Sequence, residues 1–193
     1  MNKPLQVIKY LLADYISASL AWALFFIIRK YNEDEHILQH LELVFDDVNF
    51  FRGIILIPIF WIILYLTTGT YRRIYRKSRL KELGQTILYS IIGVIILFFA
   101  FILDDFVTDH TSYIKYFLIL LSLHFSFTYL FRLILTSITA YKIHHRKIGF
   151  NTLIIGSNGN AQKIYNEIIS EYRSSGNIFV GFVNVKPYDE YLM

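Results

Sequence analysis

YLLADYISASLAWALFFII, residues 10–28, carries one charge, Asp14, in an otherwise apolar and aromatic run broken only by two serines. A helix that crosses the hydrocarbon core of a bilayer needs about 20 predominantly apolar residues. The stretch also resembles a secretory signal, because Lys3 and Lys9 precede it and Ala21-Trp22-Ala23 mimics a cleavage site. That site lies inside the apolar run, which continues to Ile28 and is too long for an ordinary signal core. The reading is therefore a retained membrane helix.

Working outward, three more stretches of spanning length follow, at 51–68, 87–103 and 116–138. The whole chain of 193 residues is 55% hydrophobic and 18% aromatic, with a mean hydropathy of +0.44, above the roughly 45–50% apolar content of soluble domains. Composition thus places it among membrane proteins. The absence of cysteine excludes a disulfide framework and any thiolate metal site. Pro58 falls inside the second stretch, where a kink is expected.

Orientation is read from the connecting segments, since Lys and Arg in short loops mark the cytoplasmic side. Segment 31–49 carries Glu33, Asp34, Glu35, Glu42, Asp46 and Asp47 and no Lys or Arg. Segment 71–82 carries Arg72, Arg73, Arg76, Lys77, Arg79 and Lys81; the next is acidic through Asp104, Asp105 and Asp109. After the fourth stretch come Lys142, His144, His145, Arg146 and Lys147. This alternation predicts a multi-pass membrane protein with both termini cytoplasmic.

The chain then changes character. In NTLIIGSNGNAQKIYNEI, residues 151–168, an apolar run meets a glycine turn and an amphipathic helical pattern. Residues 151–155 read as a strand, 160–173 as a helix, 174–177 as a turn and 178–183 as a second strand. The expected organisation is a four-helix transmembrane domain over 1–140, a basic linker over 141–150, and over 151–193 an incomplete Rossmann-like βαβ unit of the α/β class. Parallel sheets are normally larger and covered on both faces. Either the unit continues beyond this chain or it docks elsewhere.

As an ordered set these features resemble a family. Asp14 early in the first helix and Arg29 at its end, four apolar helices, the loop GTYRRIYRKSRLKELGQTI at 69–87, and the unit containing GNIFVGFVNVKP at 176–187 are similar to the front half of bacterial polyprenyl-phosphate sugar-1-phosphate transferases. These enzymes start exopolysaccharide, capsule or O-antigen assembly on undecaprenyl phosphate. The resemblance implies that the Rossmann-like domain continues and that a separate catalytic module follows, with an acidic nucleophile and a divalent metal such as magnesium. It implies no catalytic residue, no cofactor and no metal ligand within residues 1–193. The alternative is a stand-alone membrane scaffold or sensor with a cytosolic nucleotide- or partner-binding unit.

Three places carry candidate chemistry. The turn Gly156, Ser157, Asn158, Gly159 offers a helix N-terminus for a phosphate or nucleotide sugar. As a dinucleotide fingerprint it is imperfect, because Asn158, Ala161 or Gln162 stands where glycine is wanted and Asn184 where an acid is wanted; a structural turn is the favoured reading. The basic loop, through Arg72, Arg73, Arg76, Lys77 and Arg79, reads as a topology determinant that contacts anionic or polyprenyl-phosphate lipids. Tyr71 and Tyr75 are expected as interfacial aromatics. Nucleic acid is disfavoured by the flanking membrane helices. A homo-oligomer is left open.

The third place is intramembrane. Asp14, His124 and Arg132 are costly to bury and are functional candidates by default. Asp14 and Arg132 can pair as a clamp or a lipid-phosphate pocket; alternatively Asp14 is hydrated near the interface, Arg132 snorkels and His124 finds a partner across the bundle. No nucleophile–base set, P-loop or paired carboxylates can be assembled, and His144-His145 lacks an acidic partner for a metal site.

Overall fold

The computed structural model describes residues 3–33, 44–72, 74–102, 110–156 and 158–184. It is mostly helical and ends in a two-stranded parallel sheet. Four helices are long and apolar enough to cross a membrane, with spans Pro4–Asn32, Val48–Thr67, Arg79–Ala100 and Tyr113–His144 and mean hydropathies of 1.9, 2.1, 2.1 and 1.8. The acidic connecting residues at 34–43 and 103–109, Arg73 and Ser157 lie outside the described residues, as does the side chain of Arg76.

Helix α1 runs over Lys3–Glu33, α2 over Val48–Thr67, α3 over Arg79–Leu97 and α4 over His110–His144. All four helices begin before the expected stretch, because an apolar window measures only the part that can sit in hydrocarbon. The α3 start is local chemistry: Ser78 stays extended at ψ 156° and its hydroxyl accepts the Lys81 N–H, satisfying one of the open donors of the first turn. Asp47 does the same for α2, accepting from Asn49 N–H at 2.9 Å.

Pro58 is buried within α2 and does not interrupt its helical run. Proline cannot donate to the carbonyl four residues back. The Ser19 hydroxyl of α1 donates to that carbonyl, Ile54, at 3.5 Å. A neighbouring helix thus satisfies the backbone group that the proline frees. Close approach of α1 and α2 needs Gly53, because a Cβ there would collide with the Trp22 ring; the Trp22 indole N–H donates to Phe50 O at 3.3 Å.

Helix α2 ends where Gly69 takes φ 69°, a conformation open mainly to glycine. Thr70 N–H bonds Tyr65 O at 3.0 Å and Gly69 N–H bonds Leu66 O at 3.1 Å, the paired pattern of a Schellman stop. A short 3₁₀ turn, Ile74–Arg76, leads into α3. The bundle core comprises Tyr10, Ala18, Phe25, Ile57, Trp61, Tyr65, Tyr71, Ile74, Val94, Leu97, Tyr116 and Leu120.

The chain separates into two compact units within α4, one spanning Asn2–Thr136 and the other essentially Ser137–Met193. In the second, β1 (Phe150–Ile155), α5 (Gly159–Ser170) and β2 (Asn177–Val183) form the βαβ unit. The strands pair in parallel from Phe150↔Asn177 to Ile155↔Val183, with one irregularity between Thr152 and Leu153. Tyr165 of α5 packs its ring against Phe179 and Phe182 at 5.2 and 5.7 Å between centroids. Leu153, Ile155, Ile178 and Val180 are exposed.

The segment expected as a basic linker is bonded in place. Arg146, at φ 56°, donates through Nη2 to the carbonyls of Ile169 and Glu171 at 2.9 and 3.4 Å. Those acceptors sit at the C-terminal end of α5, where cations are favoured. Ser174 N–H bonds His144 O at 3.3 Å.

Candidate functional site

Four residues apart along α4, the residues Tyr116, Leu120, His124, Thr128, Arg132 and Thr136 are all buried. A spacing of four keeps side chains on one face of a helix. From position 124 onward that face is entirely polar. On α3 the buried face begins Glu82, Thr86, Ser90, and on α1 it includes Tyr10, Asp14 and Ser17. Three helices therefore direct polar side chains into one interior, which the flanking aliphatic faces separate from lipid.

Arg132 and Asp14 are joined by two parallel bonds, Nε to Oδ1 at 2.8 Å and Nη2 to Oδ2 at 2.9 Å. Both are essentially inaccessible. This forked geometry is the strong form of the arginine–carboxylate pair. Tyr71 adds a third bond, its hydroxyl donating to Asp14 Oδ2 at 2.7 Å. The guanidinium also lies over the Tyr65 ring, 4.0 Å from its centroid, an attractive cation–π arrangement in a desolvated site.

The second carboxylate is Glu82, fully buried. Its Oε1 accepts from Lys77 Nζ at 3.1 Å and stands 3.7 Å from Arg132 Nη1. Two acids and two bases thus form a neutral quartet, the arrangement that makes buried charge tolerable. Lys77 Nζ also sits 5.5 Å from the Tyr10 ring centroid, and Tyr10 shares a hydrogen bond with Thr136 at 2.8 Å. Deeper in, Ser17 meets Thr128 at 3.3 Å, and His124 Nε2 meets Thr128 and Tyr65 Oη at 3.3 and 3.0 Å. The His124 ring stacks on Trp61 with centroids 3.5 Å apart and planes 11° off parallel.

Burial pushes the Tyr71 phenol up, and the adjacent Asp14 charge pushes it further, so Tyr71 stays a donor. Burial lowers the Lys77 ammonium, while Glu82 acts in the opposite direction.

Several expectations are corrected by this geometry. Asp14 is not hydrated at an interface: it lies three turns inside α1, bonded on both oxygens. Arg132 does not snorkel. Tyr71 is not a belt aromatic, being 6% exposed and committed to Asp14. Lys77 is not a lipid-facing cation: its side chain is 4% exposed and turned onto Glu82. The basic loop divides accordingly. Tyr71, Ile74 and Lys77 face the bundle, while Arg72 and Arg79 are exposed.

Glu82, Tyr10, Tyr65, Ser17, Thr128 and Thr136 were absent from the expected site. For Glu82, Thr128 and Thr136 the signal is the four-residue spacing of polar side chains in Glu82-Thr86-Ser90 and His124-Thr128-Arg132-Thr136. It escapes a charge census, because hydroxyls do not count as charges and Glu82 reads as part of a solvated loop.

At the glycine turn, Gly156 has φ 120° and its N–H extends the ladder to Val183 O at 2.8 Å. Asn158 caps α5, its side chain accepting Ala161 N–H at 3.1 Å. Gly159 starts the helix, and a Cβ there would meet nothing within 4 Å. The turn therefore needs glycine at 156 for conformation, whereas the space around 159 does not demand one. Asn184 directly follows β2. Among the described residues no group of three potential metal ligands occurs. No protein-family model matches the chain, and comparisons with curated proteins and with solved structures also return no match.

Proposed function

We infer that this chain is the membrane and accessory portion of a phosphoglycosyl transferase. The complete enzyme transfers a hexose-1-phosphate from a nucleotide sugar to undecaprenyl phosphate. The observation that carries the reading is the order of parts: four membrane-length helices, a cationic loop between the second and third, then a parallel βαβ unit opened by a glycine turn. The exposed apolar residues Leu153, Ile155, Ile178 and Val180 support a Rossmann-like domain whose second face is covered by further elements. In this reading the bundle anchors the enzyme in a bacterial inner membrane with both termini cytoplasmic. The buried quartet holds the loop against the bundle so that the exposed Arg72 and Arg79 meet lipid phosphates at the cytoplasmic surface.

One observation favours a second reading as a scaffold or sensor: the quartet ties a loop to several helices and is as suited to holding one bundle geometry as to supporting chemistry. A direct assay separates the two. Membranes carrying residues 1–193, or the longer frame that the transferase reading requires, are incubated with radiolabelled nucleotide sugars and undecaprenyl phosphate. Lipid-linked sugar phosphate is expected from the longer frame and none from residues 1–193. Turnover by residues 1–193 that is abolished by a substitution within them overturns the accessory assignment. Absence of product from the longer frame with every donor overturns the transferase reading.

A further inference from the structure

The end of the α1–α2 pair opposite the basic loop holds a cavity of about 370 Å³. Its walls differ in kind. Trp22, Phe26 and Leu56 supply an apolar surface, and among the described lining residues Arg29, Lys30 and Arg52 stand with one carboxylate, Asp47. Asp47 is engaged, pairing with Lys30 at 3.3 Å and capping α2 through Asn49 N–H. Arg52 is exposed and makes no ion pair among the described residues. The apolar wall continues onto the membrane-facing surface of α2, where Ile55 and Leu56 are more than half exposed.

We propose that this cavity binds the phosphate of an anionic lipid, Arg29 and Arg52 gripping the headgroup from two helices while Trp22 and Leu56 receive the first carbons of the chain. The volume lies at the lower end of the roughly 300–1,000 Å³ typical of ligand pockets, enough for a headgroup and the start of a tail. Arginine suits the role because its planar fork matches phosphate oxygens in pairs. A soluble anion would use the cations and leave the apolar wall unused. The site is separate from the basic loop, which is reached from the other ends of α1 and α2, and it does not depend on the transferase reading.

The cavity wall has a built-in constraint. Gly53 leaves room for the Trp22 ring, whose indole N–H is held by Phe50 O. The apolar side is therefore preset before any lipid arrives.

Native mass spectrometry of the delipidated 193-residue chain tests the assignment, with phosphatidylglycerol, undecaprenyl phosphate, phosphatidylcholine and inorganic phosphate as separate additions. Retention of either anionic lipid over phosphatidylcholine is expected; which of the two is held more tightly identifies the source as bulk phospholipid or carrier lipid. Arg29→Gln and Arg52→Gln should each weaken retention about fivefold, the change expected from loss of roughly 1 kcal/mol per cation near a membrane surface. Leu56→Ser should weaken lipid retention without creating affinity for inorganic phosphate. Lys163→Gln, which removes an exposed cation of α5 far along the chain from this cavity, should leave this binding unchanged. Size-exclusion profiles of each variant report folding, and retention is compared per folded molecule. The proposal is overturned by equal retention of phosphatidylcholine, by competition from inorganic phosphate equal to that of lipid, by unchanged retention in the Arg29→Gln/Arg52→Gln double variant, or by an equal loss in Lys163→Gln.

Discussion

Asp14 accepts three hydrogen bonds inside a membrane-length helix, two from Arg132 and one from Tyr71. Removing one member of a buried ion pair strands the other charge and typically costs about 3–5 kcal/mol, whereas replacing both by apolar groups of similar volume is often neutral or better. Asp14→Ala and Arg132→Met should therefore each lower the thermal unfolding temperature in detergent markedly, and Asp14→Leu with Arg132→Met should recover most of the loss. Additive losses in the double variant would show that the pair is not an energetic unit. Tyr71→Phe removes a hydrogen bond to a charged acceptor, worth roughly 1.5–3 kcal/mol, while keeping the ring. Its unfolding temperature should fall less than that of Asp14→Ala, and an unchanged value would return Tyr71 to a surface role.

Among the elements, α5 and its turn carry the sharpest contrast between two glycines. Gly156→Val places a β-branched side chain at φ 120°, a strain of order 1–3 kcal/mol. Gly159→Ala sits in open space at a helix start and should be neutral or slightly stabilising. Hydrogen exchange across 150–184 should accelerate in the first variant and not in the second. Nucleotide sugars should leave the parent's unfolding unchanged, because Asn158 already caps α5. A ligand at 100 times its Kd would stabilise by about 2.7 kcal/mol; a shift of that kind, lost in Gly159→Val, would make the turn a phosphate cradle. In the bundle, Gly93→Leu would drive a side chain into the Trp61 ring, and with it the His124 stack, so a clear loss of thermal stability is expected there.

For the whole molecule, the charge alternation of the connecting segments predicts orientation. The chain has no cysteine, so single introduced thiols report cleanly. Asn32→Cys and Thr108→Cys should react with a membrane-impermeant reagent in intact cells, and Leu80→Cys should not. Leu80 is 79% exposed, so failure to react there reflects the membrane and not burial in protein. Ser78 is a poor choice for the same measurement, because its hydroxyl caps α3. Strong labelling at position 80 would invert the orientation.

Four membrane-length helices and a parallel βαβ unit were legible in the sequence because their signals are local: long apolar runs, acidic and basic segments in alternation, and a glycine turn between a strand pattern and a helix pattern. The charged positions Asp14 and Arg132 were legible as expensive, since any charge inside an apolar run stands out. What they bond was not. Whether Tyr71 and Lys77 face lipid or protein depends on the Schellman turn at Gly69, which folds the loop back onto the bundle, and on Glu82, which reads as a loop acid until Ser78 starts α3 beside it. Hydroxyls such as Thr128 and Thr136 carry no charge to mark them, and their role exists only when α1 and α4 are side by side. Sequence determined which segments leave water, because transfer free energy sums along the chain. Tertiary structure alone decided which buried charge meets which, because that depends on distances of a few ångströms between residues of different elements, up to 118 positions apart for Asp14 and Arg132.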